Sequence, residues 1–93
     1  MNIYKILFSE EAIEGKEKLE KAGDKHVLKK LEILINELRI HPKKGEGKPK
    51  RILFRGDIVW VRRITDKHRL IYDIHENIVT VAVIKIGDHY DDK

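Results

Sequence analysis

The second half of the chain alternates short apolar segments with tight turns, and this pattern restricts the fold more than any other feature. Four segments have the composition of β-strands: Arg51–Phe54, Ile58–Ile64, His68–Ile74 and Ile78–Ile86. Parallel neighbours would need a crossover of about a dozen residues or more, and the connections here are far shorter. The sequence therefore predicts a four-stranded antiparallel meander.

The first half of the chain predicts one strand followed by two helices. Asn2–Phe8 alternates well enough to form a strand, and Ser9 offers a hydroxyl N-cap for a helix that runs to about Ala22. Gly23 suits the left-handed position after a helix, and Asp24 can cap the next helix at once. The two helices are therefore expected to form a helical hairpin.

The second helix has the clearest amphipathic pattern. Its apolar positions recur at spacings of three and four: Val27, Leu28, Leu31, Leu34, Ile35 and Leu38. Its polar positions, Glu37 among them, are predicted to face solvent. The helix ends before Pro42, and a loop rich in Gly, Lys and Pro follows. Together these elements predict one α+β domain over residues 1–93, with the order β-α-α-β-β-β-β and the helical hairpin packed on one face of a mainly antiparallel sheet.

A turn around Thr65–Lys67 decides how the two strands beside it pair. If Ile64 pairs with His68, the richer apolar set falls on one sheet face and packs under the helices. That set is Ile58, Trp60, Leu70, Tyr72 and Ile74. A shift by one residue would scatter these side chains over both faces. We therefore expect the pairing of Ile64 with His68.

The same register places two arginines directly opposite each other. Arg63 and Arg69 both lie on the sheet face opposite the helices, directly across from each other on neighbouring strands. Like charges in such positions repel. Two adjacent guanidinium groups form a bidentate donor array that suits a phosphate or a carboxylate. Alternatively, Asp57, Asp73 or an acid of the C-terminal tail neutralises them. The basic surroundings favour the anion site.

Positive charge is concentrated in one segment of the chain. Residues 42–69 hold ten Lys and Arg against three Asp and Glu, whereas residues 1–41 are balanced and residues 70–93 are net acidic. Such a segment is typical of a surface that contacts phosphate groups. For Lys43 and Lys44, a solvated loop is the preferred interpretation.

Other functional classes find little support. The chain has no cysteine, and no pair of its histidines has a persuasive metal-ligand spacing. It has no phosphate-binding glycine loop and no serine triad. The N-terminal MNIYKILF is too short to span a membrane, which favours a soluble, cytoplasmic protein. His89 and Tyr90 are a candidate proton donor and a candidate phenol for stacking on a base.

Three stretches together resemble one known family. GKPK, WVRRITDKHRLIY and the terminal HYDDK are similar to the Txe/YoeB branch of the RelE superfamily of toxin–antitoxin ribonucleases. The long string W-x-R-R-I-x-x-x-H-R-L-x-Y carries most of the specificity, and the terminal HY strengthens it. The likeness extends from the SEEA that follows the first strand to the C-terminus.

The resemblance implies a RelE-like fold and a metal-independent endoribonuclease, without cofactor, that cuts mRNA on the ribosome. Arg69 matches the arginine that stabilises the developing charge, and Arg63 matches a second phosphate-contacting arginine. His89 matches the general acid, and Tyr90 the tyrosine beside it. The further residues expected to contact RNA are Lys48, Arg51, Arg62 and Lys67. The implied partners are the ribosome with its mRNA and a cognate antitoxin, and members of the family also form homodimers.

The chain departs from the family pattern at two positions: a lysine that the family has a few residues after its glutamate falls at Leu53, and the departure that matters is at the glutamate itself. The glutamate of G-K-P-E, usually assigned as general base, is Lys50 here. Three alternatives stay open. Lys48 and Lys50 could form a site rich in lysine and arginine, as in other RelE-type toxins; Glu46 or His89 could act as base; or the chain could be a weakened ribonuclease that still binds RNA or its antitoxin.

Overall fold

The structure is a computed structural model that describes residues 3–88, and it contains two helices and five strands in the predicted order. The elements are β1 (Lys5–Phe8), α1 (Glu10–Ala22), α2 (Lys25–Leu38), β2 (Lys50–Phe54), β3 (Asp57–Arg63), β4 (His68–His75) and β5 (Thr80–Asp88). The strands form one sheet in the order β1-β5-β4-β3-β2. The predicted fold class and element order are confirmed. No helix of the described residues is both long and apolar enough to cross a membrane.

The helix ends form where the sequence predicts them. The hydroxyl of Ser9 accepts a hydrogen bond from the backbone N–H of Ala12 at 3.0 Å, and the carboxylate of Asp24 accepts one from Val27 at 3.2 Å. Gly23 lies in the left-handed region, with φ of 71°. These three local signals set the start of both helices and the sharp reversal between them.

The sheet is antiparallel except at one edge, where β1 runs parallel to the first half of β5. Several strand boundaries differ from prediction, and the strand starts differ most at β1 and β5. β1 starts at Lys5 and not at Asn2, and the backbone N–H of Tyr4 donates to Arg39 instead. β5 starts at Thr80 and not at Ile78, because residues 76–78 form one turn of 3₁₀-helix between β4 and β5.

The main core lies between the helical hairpin and one face of the sheet. Its buried side chains include Leu31, Leu34, Leu38, Ile64, Leu70, Tyr72, Val81, Val83 and Ile86. The pairing of β4 with β5 is irregular between Ile71 and Tyr72, and this bulge turns both Val83 and Ile86 toward the helices. Helix α1 approaches β5 so closely that a side chain at Gly15 would overlap the carbonyl group of Ile86.

The helices do not cover the outer end of the β2–β3 hairpin, and the prediction for Ile58 is wrong for this reason. Its side chain is 53% exposed, and that of Leu53, its cross-strand partner, is 63% exposed. The other members of the predicted apolar face do contact the core. Trp60 is half-buried and stacks on Tyr72, with ring centroids 6.5 Å apart.

The largest buried side chain of the core is charged. Arg62 lies on the helix-covered face of β3 and is fully buried. Its guanidinium forms an ion pair with Glu37 near the end of α2, and its Nε donates to the hydroxyl of Tyr72 at 3.0 Å. The prediction that Glu37 faces solvent is therefore wrong, because its carboxylate turns inward to neutralise a buried cation.

We expect replacement of Glu37 to destabilise the fold. Glu37→Ala would leave the Arg62 guanidinium buried without its counter-charge, and the loss of one partner of such a pair costs about 3–5 kcal/mol. Because Glu37 is partly exposed, we expect a value near the lower end, about 3 kcal/mol. Urea unfolding followed by Trp60 fluorescence would measure the free energy of unfolding. Glu32→Ala, at an exposed position of the same helix, should change it by about 0.5 kcal/mol or less.

We also expect stability to fall at alkaline pH through Tyr72. Burial raises the pKa of Tyr72 above its usual value of 10.0, and the Arg62 hydrogen bond opposes that shift only partly. The unfolded chain therefore ionises first as the pH rises past 10.0, and the free energy of unfolding falls until the folded-state pKa is passed. Tyr72→Phe should remove up to about 1.4 kcal/mol per pH unit of this slope. Urea unfolding of both proteins between about pH 9 and about pH 11 would measure the difference; parallel slopes would contradict the expectation.

Candidate functional site

Adjacent arginines of β3 point to opposite faces of the sheet. The observed register pairs Arg63 with Arg69 and Arg62 with Leu70, so the predicted Arg63–Arg69 pairing is confirmed. Side chains alternate along a strand, and Arg62 therefore lies under the helices while Arg63 lies on the other face. On that face Arg63 stands beyond a second, smaller apolar cluster: Phe54, Val59, Val61 and Ile71.

A cationic pocket surrounds this arginine pair. It has a volume of about 130 Å³, and its lining residues are Gly47, Lys48, Lys50, Val61, Arg63 and Arg69. Four of these six residues carry a positive charge, and none of the carboxylates within residues 3–88 lines the pocket. Like charges this close repel one another, and the repulsion is relieved when an anion enters. We call this site the cationic pocket.

The turn that precedes Arg69 holds its guanidinium in place. Nη1 of Arg69 donates to the carbonyl oxygens of Thr65 at 2.7 Å, His68 at 3.0 Å and Asp66 at 3.3 Å. The carbonyl dipoles stabilise the positive charge without neutralising it. On the neighbouring strand β5, the residue paired with Arg69 is Gly87, which has no side chain to fill the space beside it. Arg69 is thus preorganised and half-buried, and it has room for a ligand.

Arg63 is held less firmly. Its side chain is half-exposed, and the distance from Nη1 to the Asp66 carboxylate is 3.9 Å. Asp66 is almost fully exposed, and ion pairs of this kind contribute little to stability. Among the described residues, the acid near the arginine pair is thus Asp66 and neither Asp57 nor Asp73, which the sequence left open. Arg63 can exchange this contact for a stronger anion.

The loop before β2 brings two lysines to the pocket. Gly47 has φ of 82°, and its carbonyl oxygen accepts a hydrogen bond from the backbone N–H of Arg63 at 2.8 Å. A Cβ atom at position 47 would lie 2.7 Å from the carbonyl oxygen of Arg63, so this close approach requires glycine. Lys48 follows with φ of 49°. Lys50 then opens β2 opposite Val61.

The prediction that Arg62 contacts RNA is wrong. Its side chain has no exposed surface, and its guanidinium is committed to acceptors inside the protein. The sequence contains a signal for this, because Arg62 has the same strand parity as Ile58 and Trp60, which the predicted register places on the helix-covered face. Sequence reasoning also missed the two side chains that hold Arg62, Glu37 and Tyr72.

Two other predicted RNA contacts lie outside the pocket. Arg51 is exposed on the helix side of the sheet, where its guanidinium lies 5.9 Å from the centre of the Trp60 ring. Lys67 is exposed in the β3–β4 turn, and its backbone N–H donates to the Thr65 hydroxyl. Neither residue lines the pocket, so their contact with RNA stays a prediction.

Glu46, His89 and Tyr90 are the remaining candidates for acid and base. Glu46 points away from the pocket, with its carboxylate 3.5 Å from the ammonium group of Lys30 on α2. This arrangement disfavours Glu46 as the general base. His89 and Tyr90 lie outside the described residues, and their roles stay predictions. β5 is described up to Asp88, one position beyond the partner of Arg69.

Comparison with known proteins identifies the family. Residues 8–90 match the family model described as "YoeB-like toxin of bacterial type II toxin-antitoxin system". Toxin YoeB of Escherichia coli K12 is 36% identical over 67 residues, which cover 72% of this chain and 77% of that protein.

Solved structures agree with the sequence match. A YoeB/ParE toxin from Agrobacterium tumefaciens superposes with a TM-score of 0.82 at 27% identity, covering 92% of this chain and 99% of that one. The toxin in a heterotetrameric YoeB–YefM complex from Staphylococcus aureus gives 0.72 at 30% identity, covering 94% and 98%. The chain belongs to the YoeB-like toxins of bacterial type II toxin–antitoxin systems.

Proposed function

We propose that this toxin is a ribosome-dependent endoribonuclease that cuts mRNA and binds the scissile phosphate in the cationic pocket. The observation that carries the proposal is the convergence of Lys48, Lys50, Arg63 and Arg69 on one pocket that no carboxylate of the described part of the chain lines. Such a site attracts a phosphodiester and repels a cation. The family supports the same activity, because YoeB and RelE toxins act as mRNA endoribonucleases on the ribosome.

The proposed reaction uses groups of the RNA, groups of the protein and solvent water. The ribose 2′-oxygen attacks the adjacent phosphorus as the 2′-hydroxyl proton passes to water, and the bond to the 5′-oxygen breaks as that oxygen takes a proton from His89. The products are a 2′,3′-cyclic phosphate and a 5′-hydroxyl. Extra negative charge develops on the phosphate oxygens in the transition state, and fixed cations lower its energy. Arg69, fixed by the turn carbonyls, is best placed for this role, and Arg63 faces it across the strands.

The residues for proton transfer are less completely assigned than those that bind the phosphate. His89 of this chain corresponds to the family's general acid, and Tyr90 corresponds to the tyrosine beside that acid. We assign them these roles. Lys50 takes the position of the usual glutamate, and its place among three other cations favours a contribution of charge to the phosphate. On this proposal, catalysis rests mainly on electrostatic stabilisation and on His89.

The partners follow from the relatives. A Staphylococcus aureus YoeB has been solved as a dimer and in complex with YefM. We propose that this chain likewise binds a cognate antitoxin, which places acidic side chains over the cationic pocket and blocks RNA. Self-association into a homodimer is proposed on the same ground.

A second function is favoured by one specific observation. The pocket lacks the carboxylate that the family uses as a base, and Glu46 does not replace it there. A toxin homologue with weakened catalysis, which still binds RNA or its antitoxin, would have this same pocket. The two functions differ in whether bound RNA is cut.

The cleavage experiment uses a translated message, purified ribosomes and primer extension. We expect cuts with the wild type and a loss of about 10²–10³-fold for Arg69→Ala, since it removes a donor to the developing charge. His89→Ala should lose about 10²–10⁴-fold if it is the general acid. Arg55→Ala is the control, because Arg55 pairs with Glu11 away from the pocket and its loss should leave the rate unchanged.

The same assay separates the two candidate functions. Binding to ribosomes without cuts in the wild type would exclude the enzyme and support the binding protein. Lys50→Glu restores the family's usual base at that position. A large gain of activity in this variant would show that the natural site is weakened, whereas a loss would show that the lysine serves the reaction.

Salt dependence provides a test of the phosphate contacts alone. Each phosphate neutralised on single-stranded RNA contributes about 0.7 to the slope of log K against log salt concentration. Affinity for a short RNA with a 2′-deoxy cleavage site should therefore lose up to about 0.7 of slope in Arg63→Ala and up to about 0.7 in Arg69→Ala. Lys21→Ala, on the exposed side of α1, is the charge-matched control. If the salt slopes of all variants equalled that of the wild type, RNA would bind outside the cationic pocket.

A further inference from the structure

The segment between α2 and β2 has no helix or strand of its own, yet one buried side chain fixes its backbone. Nη2 of Arg62 donates to the carbonyl oxygens of His41 at 2.6 Å and Lys44 at 2.9 Å, and Nη1 donates to that of Glu46 at 3.2 Å. We call residues 41–47 the anchored loop. A segment so rich in Gly, Lys and Pro has little intrinsic order, so its conformation depends on these bonds.

Two further side chains complete the anchor. The Glu37 carboxylate accepts from Arg62 and also from the backbone N–H of Glu46 at 2.7 Å. The Tyr72 hydroxyl accepts from Arg62 and donates to the carbonyl oxygen of Pro42 at 2.7 Å. Within residues 3–88, no buried side-chain nitrogen or oxygen lacks a hydrogen-bond partner. A buried polar network in which every group is satisfied specifies one arrangement of its members.

The anchored loop leads directly into the cationic pocket. Glu46 is fixed by Arg62, and the next residue, Gly47, bonds to the backbone of Arg63, which in turn follows Arg62 along β3. One peptide unit on each side therefore separates the buried network from the pocket. Lys48 and Lys50 leave the loop at this point and enter the pocket.

We infer that Arg62 is a positioning residue for the cationic pocket. It holds the anchored loop so that Lys48 and Lys50 face Arg63 and Arg69, without touching the ligand itself. The effect on catalysis rests on the proposed function, whereas the effect on the loop does not. The two adjacent arginines of β3 thus have different roles: Arg63 lines the pocket, and Arg62 holds the loop that carries the lysines.

The guanidinium group is needed for this role, and its charge alone is not enough. Arg62 uses Nε, Nη1 and Nη2 to reach the hydroxyl of Tyr72, the carboxylate of Glu37 and three carbonyl oxygens. A lysine keeps the charge but presents three donors from a single nitrogen, and it cannot span acceptors placed around a plane. Arg62→Lys is therefore the conservative substitution that tests position and not charge.

The first measurement reports on the loop without RNA. Amide hydrogen exchange should rise at least about 10-fold in Arg62→Lys for the Glu46 and Arg63 amides, whose acceptors are Glu37 and Gly47. The Leu31 amide, in the middle of α2, should keep its rate relative to the global unfolding rate of each protein. Unchanged protection at Glu46 and Arg63 would overturn the inference, whether or not the protein cuts RNA.

The second measurement links the loop to the pocket through a double-mutant cycle on cleavage, or on affinity for the 2′-deoxy RNA if the wild type does not cut. If Arg62 acts by placing Lys50, then Lys50→Ala should lose about 10-fold in the wild type and about 2-fold or less in Arg62→Lys. Equal losses in both backgrounds would overturn the inference. Failure of the wild type both to cut and to bind RNA would instead reject the proposed function, and amide exchange alone would then decide the role of Arg62.

A matched control separates positioning from general destabilisation. Val27→Ala creates a core defect at the opposite end of α2 from Glu37, away from the anchored loop. In that background Lys50→Ala should keep its full effect. If Arg62→Lys does not fold, Glu37→Gln carries the test, because loss of the carboxylate charge weakens the contacts that orient Arg62 and hold the Glu46 amide. The same reduced effect of Lys50→Ala is expected there, and a full effect would overturn the inference.

Discussion

The register between β3 and β4 is the constraint on which the rest of the structure depends. It places Ile64, Leu70 and Tyr72 under the helices, where each is buried to about 98% or more. Burial of one such side chain contributes about 1.5–3 kcal/mol, whereas a cross-strand like-charge pair opposes by about 1 kcal/mol or less. The apolar face therefore decides the register, and the arginine pair on the other face follows from it.

The same register allocates the two neighbouring arginines. A slip by one residue would carry Arg63 under the helices and Arg62 into the pocket side, since side chains alternate along a strand. With the observed pairing, Glu37 and Tyr72 contact Arg62 inside the protein. On the opposite face, Lys50 lines the pocket beside Arg63, and the turn carbonyls bind Arg69. A buried ion pair and a candidate active site are thus two consequences of one pairing.

Much of the fold could be predicted because its signals are local. The caps at Ser9 and Asp24 and the reversal at Gly23 depend on single residues, and the arginine pairing follows from a short turn. The bulge in β5 has no such signal, because it arises from how β4 and β5 fit together. The prediction for Arg62 is wrong for another reason. Its charge groups it with the surrounding basic segment, although its parity in β3 places it with the core.

The candidate site was only partly predictable for the same physical reason. Arg63 and Arg69 could be placed from the strand pairing alone. Lys48 could not, because its position depends on a left-handed loop held by a buried arginine from a distant part of the chain. Charge indicates the candidate phosphate contacts, but it does not show which cations form ion pairs inside the fold.

The electrostatics of the pocket connect folding with binding. Within the part of the chain that the structure describes, four cations surround a small volume, and peptide carbonyls and one exposed acid compensate them. Part of the repulsion therefore remains in the free protein and is relieved when an anion binds. Any ligand that binds the folded state alone stabilises it by mass action. A phosphodiester and an acidic antitoxin segment can both supply the negative charge that relieves this repulsion. Substrate and inhibitor are therefore expected to compete for the cationic pocket.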